Sequence, residues 1–260
     1  MPLSPGKDRM IITPQKYDAV LFDLDGVLTL TMKLHASCWK RMFDAYLEER
    51  AERAGEVFRP FDIAADYKPY VDGRLRYDGV RAFLASRGIS LPEGTADDDP
   101  TLETVCGLGN RKDRMVNQAI AQDGVEVLDG SLVVVRLVRT AGLRTAVVSA
   151  SKNCQMVLDA AGIGQLFDVV VDGKVASQLG LPGKPAPDTF LRAARDLGVE
   201  PQRAVVVEDA ISGVQAGRDG GFGLVIGIDH HGDKAALYAH GADIVVEDLI
   251  EILQKSEAER

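Results

Sequence analysis

The run Val20-Leu-Phe-Asp-Leu-Asp-Gly-Val-Leu-Thr29 sets an apolar stretch directly against two carboxylates and a glycine. Such a stretch reads as a buried strand whose carboxyl end opens into a turn. Open α/β sheets place their chemistry just outside that end. Strand residues two apart share a side, so Asp23 and Asp25 point the same way, and two close carboxylates repel unless a cation lies between them. Mg²⁺ suits the position, because it takes oxygen ligands and commonly bridges them to phosphate. Alone, the string equally describes a strand ending in an ordinary Asp-Gly turn, so the rest of the chain must decide.

The 260 residues suffice for a large core plus a smaller module. A hydrophobic share of 46% and a charged share of 27% exclude wholesale disorder and a fibrous architecture. The formal net charge of −9 argues against a nucleic-acid partner, and an anionic substrate would need local cations. Cys38, Cys106 and Cys154 are far apart, odd in number and without C-x-x-C spacing, as suits a reducing cytoplasm. The apolar residues ahead of Pro14 are too few for a signal-peptide core, and no run approaches a membrane span. The expectation is a cytoplasmic protein without a membrane partner, a monomer or weak dimer, with a solvated tail at 254–260.

Residues 34–50 carry two apolar stripes at helical spacing, one of them His35, Trp39, Phe43 and Leu47. Read from the residues alone, His35 is a packed core histidine. Charges and glycines thicken over 51–124, with shorter helical patterns at 75–88 and 101–122. The acidic run Asp97-Asp-Asp99 reads as solvated. From 125 onward helices at 130–141, 153–161, 186–197 and 212–218 alternate with strands at 143–149, 167–171, 204–208, 223–227 and 243–246. A Gly-rich loop is expected after the strand at 167–171, and Asp229-His-His-Gly-Asp233 with His240 reads as surface loop. Strands separated by single helices imply βαβ crossovers. The fold class is therefore α/β: a Rossmann-like parallel sheet with helices on both faces, built from 1–30 and 125–260, with a helical cap at 31–124 inserted after the first strand.

Parallel strands end on one side, which gathers Asp23, Asp25, Ser149, Glu208 and Asp209, with Lys184 in a loop before a helix. A carboxylate can attack phosphorus, a second can carry the proton, and a metal can neutralise the phosphate. Ser149 and the amides after it, at a helix amino terminus, can hold phosphate oxygens, and Lys184 supplies a point charge. Unaided monoester hydrolysis is so slow that positioning and charge neutralisation must do most of the work.

These stretches resemble the haloacid dehalogenase superfamily of phosphotransferases, in its first cap subclass, over nearly the whole chain. Within it they are most similar to the β-phosphoglucomutase group. The matching segments are Phe22-Asp-Leu-Asp-Gly-Val-Leu28, His35 with Trp39, Ser149-Ala-Ser-Lys-Asn153, Gly183-Lys-Pro-Ala-Pro-Asp-Thr-Phe190 and Glu208-Asp-Ala-Ile-Ser-Gly213. The resemblance implies that Asp23 is nucleophile and Mg²⁺ ligand, and that Asp25 is general acid and base with its backbone carbonyl on the metal. Asp209 completes the ligands, with Glu208 nearby. Ser149, the Ala150 amide and Lys184 hold the transferring phosphoryl group. His35 becomes a hinge residue that helps place Asp25.

The same quartet serves simple phosphatases, so the reaction turns on whether a second phosphate has a home. The resemblance implies one in Ser151, Lys152 and Asn153 with a cap arginine. Of Arg74 and Arg76 the alignment favours Arg74, and Lys112 matches a cap lysine that contacts the sugar or Asp25. Leu30 stands where the mutase pattern prefers an acidic residue, which bears on substrate. The implied activity is Mg²⁺-dependent conversion of β-D-glucose 1-phosphate to glucose 6-phosphate through an aspartyl phosphate and glucose 1,6-bisphosphate. A sugar-phosphate phosphatase is the alternative. A catalytically inactive phosphate-binding module would gain little from two mutually repelling carboxylates.

Overall fold

The computed structural model describes residues 11–230 and 232–253. Strands β1 (Ala19–Phe22), β2 (Arg144–Val148), β3 (Val169–Val171), β4 (Ala204–Glu208), β5 (Leu224–Ile228) and β6 (Ile244–Val246) form one parallel sheet. All six are strands that the hydrophobic pattern predicts. Their order, β3-β2-β1-β4-β5-β6, puts the reversal of winding between β1 and β4. Ligands bind at such a switch point, beyond the carboxyl ends of the strands. Phe22 lies in register with Val147 on one side and Val207 on the other. The amide of Asp23 then donates to Val207 O at 3.0 Å, holding Asp23 beside the end of β4.

Helices α1 (Met32–Ala54), α2 (Ile63–Tyr70), α3 (Arg76–Ser86) and α4 (Val105–Asp123) lie between β1 and β2, and α5 (Asp129–Thr140) leads into β2. The later connections carry α6 (Cys154–Ala160), α7 (Gly173–Leu179), α8 (Asp188–Leu197), α9 (Ile211–Asp219) and α10 (Lys234–Ala239). Alternation along β1 decides what each face buries. Val20 and Phe22 pack with Val134, Val138, Val157 and Leu158 of α5 and α6, whereas Ala19 and Leu21 pack with Phe190, Ala194 and Val214 of α8 and α9.

The first four helices bury a hydrophobic cluster of their own around Trp39, Phe43, Tyr46, Phe61 and Phe83. Phe43 is its centre, 5.3 Å from the Trp39 ring, 5.4 Å from Phe61 and 4.1 Å from Phe83. Truncating a ring so enclosed to Ala costs about 3–5 kcal/mol. Met115 packs against both this cluster and the sheet core, so α4 joins the two.

Where the elements depart from the expected ones, local polar capping overrode hydrophobic period. α2 forms in the charged stretch because Asp62 accepts from the amides of Ala64 and Ala65. The expected Gly-rich loop contains α7, started by Asp172 on the amides of Lys174 and Val175 and ended by left-handed Gly180. In the acidic run, Asp98 accepts from Thr95 and Thr104, and Asp99 from Thr101, so these carboxylates organise the entry to α4. The segment read as surface loop at 229–233 instead touches the site. His230 Nε2 lies 2.6 Å from Gly26 O, and Asp233 forms an ion pair with Lys68 of α2. His231 and the tail at 254–260 fall outside the described residues, of which no helix is long and apolar enough to cross a membrane.

Candidate active site

The chain leaves β1 in a tight turn. Asp23 Oδ2 accepts from the Asp25 amide at 2.9 Å, and the Gly26 amide donates to Thr29 O at 2.7 Å. Gly26 sits at φ +87°, and a Cβ there would fall 2.0 Å from Asp209 Oδ2, so only glycine lets Asp209 close on the turn. Gly213 does the same for Glu208, since a Cβ would lie 1.8 Å from its Oε1. Main-chain bonds from Leu30 to Glu126 and from Leu128 to Leu28 tie the returning chain to the segment before α5.

Asp23, Glu208 and Asp209 each bring one oxygen within 4.8 Å of the others. The Lys184 ammonium pairs with Asp23 and Glu208 and donates to Val148 O at 3.1 Å. Glu208 Oε2 accepts from the amides of Asp209 and Ala210, both at 3.0 Å. Burial works against the Lys184 charge, but the two carboxylates outweigh it and its pKa is raised. Burial pushes Glu208 up to about 7, with Asp23 adding to the effect and Lys184 opposing it. Asp209 stands well above the usual carboxylate range through burial and the charges of Asp72 and Glu208. Three carboxylates share one ammonium, and that surplus negative charge with all-oxygen donors fits a hard divalent cation such as Mg²⁺.

The second carboxylate of the turn lies in different surroundings. Thr31 donates its hydroxyl to Asp25 Oδ1, and Thr29 braces Thr31 at 3.0 Å. His35, in the first turn of α1, places Nε2 3.6 Å from the same oxygen. The ammonium of Lys112 reaches His35 Nδ1 at 2.9 Å and lies 4.8 Å from the centre of the Trp39 ring. Burial, then Lys112, holds the imidazole well below its ordinary pKa, and burial together with Arg76 pulls Lys112 down to about 8. Burial raises Asp25 as well, with the Thr31 hydroxyl opposing the shift. His35 is therefore part of the cleft wall, unlike the packed core histidine that its apolar stripe suggests.

Across the cleft, the turn after β2 is built from serines. Ser149 Oγ accepts from the Ser151 amide and Ser151 Oγ from the Asn153 amide, each at 3.1 Å. Ser149 is buried behind the turn, and Ala150, Ser151, Lys152 and Asn153 line the cleft. Facing them, Arg76 Nη2 donates to Asp113 Oδ1 at 2.6 Å, and the same oxygen accepts from Asn153 Nδ2 at 2.6 Å. Arg74 also lines the cleft, but among the described residues its guanidinium reaches only Pro69 O, at 3.4 Å. Arg76 is thus linked to Asn153 through the Asp113 carboxylate, whereas Arg74, which alignment favours for the second phosphate, is not. Asp72, Thr31 and Asp113 were not singled out in the sequence. Asp72 lines the cleft opposite Asp209, pushed up to about 7 by burial and then Glu208. The free space enclosed is about 70 Å³. Small-molecule sites usually offer at least ~300 Å³, so the cleft as it stands is narrow for a ligand.

Residues 17–221 match the family of haloacid dehalogenase-like hydrolases. The chain belongs to the haloacid dehalogenase superfamily. It is 53% identical over 250 residues to a β-phosphoglucomutase of Mycobacterium bovis, covering 95% of each chain. It is also 40% identical over 233 residues to an uncharacterized glycosyl hydrolase of Mycobacterium tuberculosis, where it covers 90% of this chain and 17% of that one. The crystal structure of a β-phosphoglucomutase from Clostridium difficile shares the fold with a TM-score of 0.71 at 23% identity, covering 90% of this chain and 92% of that one. The membership makes this chain an enzyme of the haloacid dehalogenase superfamily.

Proposed function

We propose that the chain is a phosphomutase converting β-D-glucose 1-phosphate to glucose 6-phosphate through an aspartyl phosphate and glucose 1,6-bisphosphate. The observation that carries this reading is the pairing of two anion-binding ends in one cleft. Lys184 stands beside Asp23 at one end, and Arg76, Lys152 and Asn153 gather at the other. A phosphatase needs only the first. The 53% identity to the mycobacterial β-phosphoglucomutase supports the same substrate class.

In this reading phosphorylated Asp23 passes its phosphoryl group to the C6 hydroxyl of the sugar while Asp25 takes the hydroxyl proton. The bisphosphate turns round, Asp23 accepts the C1 phosphoryl group, and Asp25 returns the proton to the C1 oxygen. Ser149, the Ala150 amide and Lys184 hold the phosphoryl oxygens during each transfer. Asp23, Asp209 and the main-chain carbonyl of Asp25 would hold Mg²⁺, with Glu208 beside them, and the ion when bound neutralises the phosphoryl oxygens. Residues 31–124 act as the cap. Its closure removes water from the apex, which favours transfer to sugar over hydrolysis.

The test supplies β-glucose 1-phosphate with a trace of the bisphosphate and measures glucose 6-phosphate and free phosphate together. Isomer without free phosphate is expected. Stoichiometric phosphate with no isomer would make the enzyme a phosphatase.

A further inference from the structure

We infer that Asp113 is an internal stand-in for the second phosphate of the substrate, a carboxylate that occupies the distal anion site when the cleft is closed and that the incoming phosphate displaces. The inference rests on the mutase reading, since it assigns a role within the second phosphate site.

One oxygen of Asp113 accepts two hydrogen bonds that arrive from opposite walls. Arg76 Nη2, from α3, and Asn153 Nδ2, at the start of α6, both lie 2.6 Å from Oδ1. Asp113 itself belongs to α4, so the carboxylate clasps the helical unit to the sheet unit across the mouth of the cleft. Its charge acts also on Lys152, Lys112 and His35. A guanidinium and a carboxamide on one oxygen, with two ammonium groups near enough to feel its charge, are donors that a phosphate dianion would recruit. Arg76 and Asn153 therefore serve either Asp113 or the ligand.

Two consequences follow from the exchange. The cleft is held shut against water before substrate arrives, and a ligand regains the bonds lost on displacing Asp113 only if it brings an anion to the same donors. A monoester without a second phosphate leaves Asp113 on these donors and gains nothing from them. A different role, in which Asp113 merely orients Arg76 for the ligand, predicts the opposite sign when the charge is removed.

Calorimetry on the Mg²⁺-loaded full chain separates these roles. The probes are a non-transferable bisphosphonate analogue of glucose 1,6-bisphosphate and its monophosphonate counterpart lacking the distal group. The wild type is expected to prefer the bisphosphonate. Asp113→Asn is expected to bind it about tenfold more tightly than the wild type does, with the monophosphonate unchanged. Asp113→Ser, which also removes the reach, should act likewise, and melting curves establish that both variants are folded. Unchanged or weaker bisphosphonate binding in both variants, or equal tightening of both probes, overturns the stand-in role and leaves the mutase reading intact. A wild type with no preference between the probes overturns the mutase reading itself.

Discussion

The ammonium of Lys112 points at His35 Nδ1 from 2.9 Å, and because an ammonium can only donate, the imidazole must accept there. Neutral His35 then carries its proton on Nε2, the atom facing Asp25 Oδ1 at 3.6 Å. The Nε2 proton faces Asp25 without a hydrogen bond to it, and the buried cation behind the ring is costly. Lys112 titrates at about 8 in the fold against 10.5 in an open chain, so folding disfavours its charged form. A lowered folded pKa on a base means the cost is fully present below about pH 8 and vanishes as the pH rises toward 10.5. Lys112→Met is expected to raise the unfolding free energy at pH 7 by roughly 1–3 kcal/mol while slowing turnover. Denaturant melts at pH 7 and above pH 10 check this; a variant less stable at pH 7 would contradict it.

In the proposed mechanism Asp25 offers its main-chain carbonyl to the metal and its side chain to the proton, so the two functions separate by mutation. Asp25→Ala is expected to cut turnover by about 10²–10⁴-fold, the usual reach of general acid–base catalysis. Mg²⁺ affinity, followed by titration calorimetry, should hold within a few-fold. Loss of the metal in this variant would contradict the assignment.

The sheet was legible because it depends on long apolar runs, and β1, β4 and β5 are buried at every position. The acidic apex was legible for the same reason: Asp23, Glu208 and Asp209 stand at the ends of those runs. Elements that rest on one polar contact were not legible, as with α7 hung on Asp172 and α2 on Asp62. Asp113 lay one residue past Lys112 without an apolar pattern to mark it, and its meaning comes from Arg76, 37 positions away, and Asn153, 40 positions away. Which of Arg74 and Arg76 shares a partner with Asn153 likewise depends on how the chain enters α3, which spacing does not specify.

Without a metal, the apex should grow less stable as the pH rises. Glu208 carries a folded pKa of about 7 against 4.5 unfolded, so the folded state binds more protons between those values. Stability contributed by the protonated form is lost as the pH climbs through 7, a change of roughly 1–3 kcal/mol. In chelator, melts are expected to fall from pH 5 to pH 7.5. Saturating Mg²⁺ should remove that fall and add about 2.7 kcal/mol at a hundredfold excess over Kd. Asp209→Asn relieves one of three mutually repelling carboxylates, so it should melt higher than the wild type in chelator yet gain nothing from Mg²⁺. A variant that still responds to the metal would place the ion elsewhere.

Arg76 and Arg74 both line the cleft, but only Arg76 is built into the wall opposite Asn153, with its side chain largely enclosed and its fork committed to Asp113 and Asn110. A guanidinium in that position contacts only a substrate long enough to reach from Asp23 to the far end. Arg76→Ala is therefore expected to slow the mutase reaction by about 10²-fold or more, while p-nitrophenyl phosphate, whose single phosphate sits beside Lys184, loses less than about tenfold. Arg74→Ala, whose guanidinium meets only a carbonyl, should cost less than about tenfold in both assays. Steady-state rates with the two substrates and the two variants check the assignment. Equal losses in both reactions for Arg76→Ala would move the second phosphate site, and a mutase-selective loss for Arg74→Ala would return it to the arginine that alignment favoured.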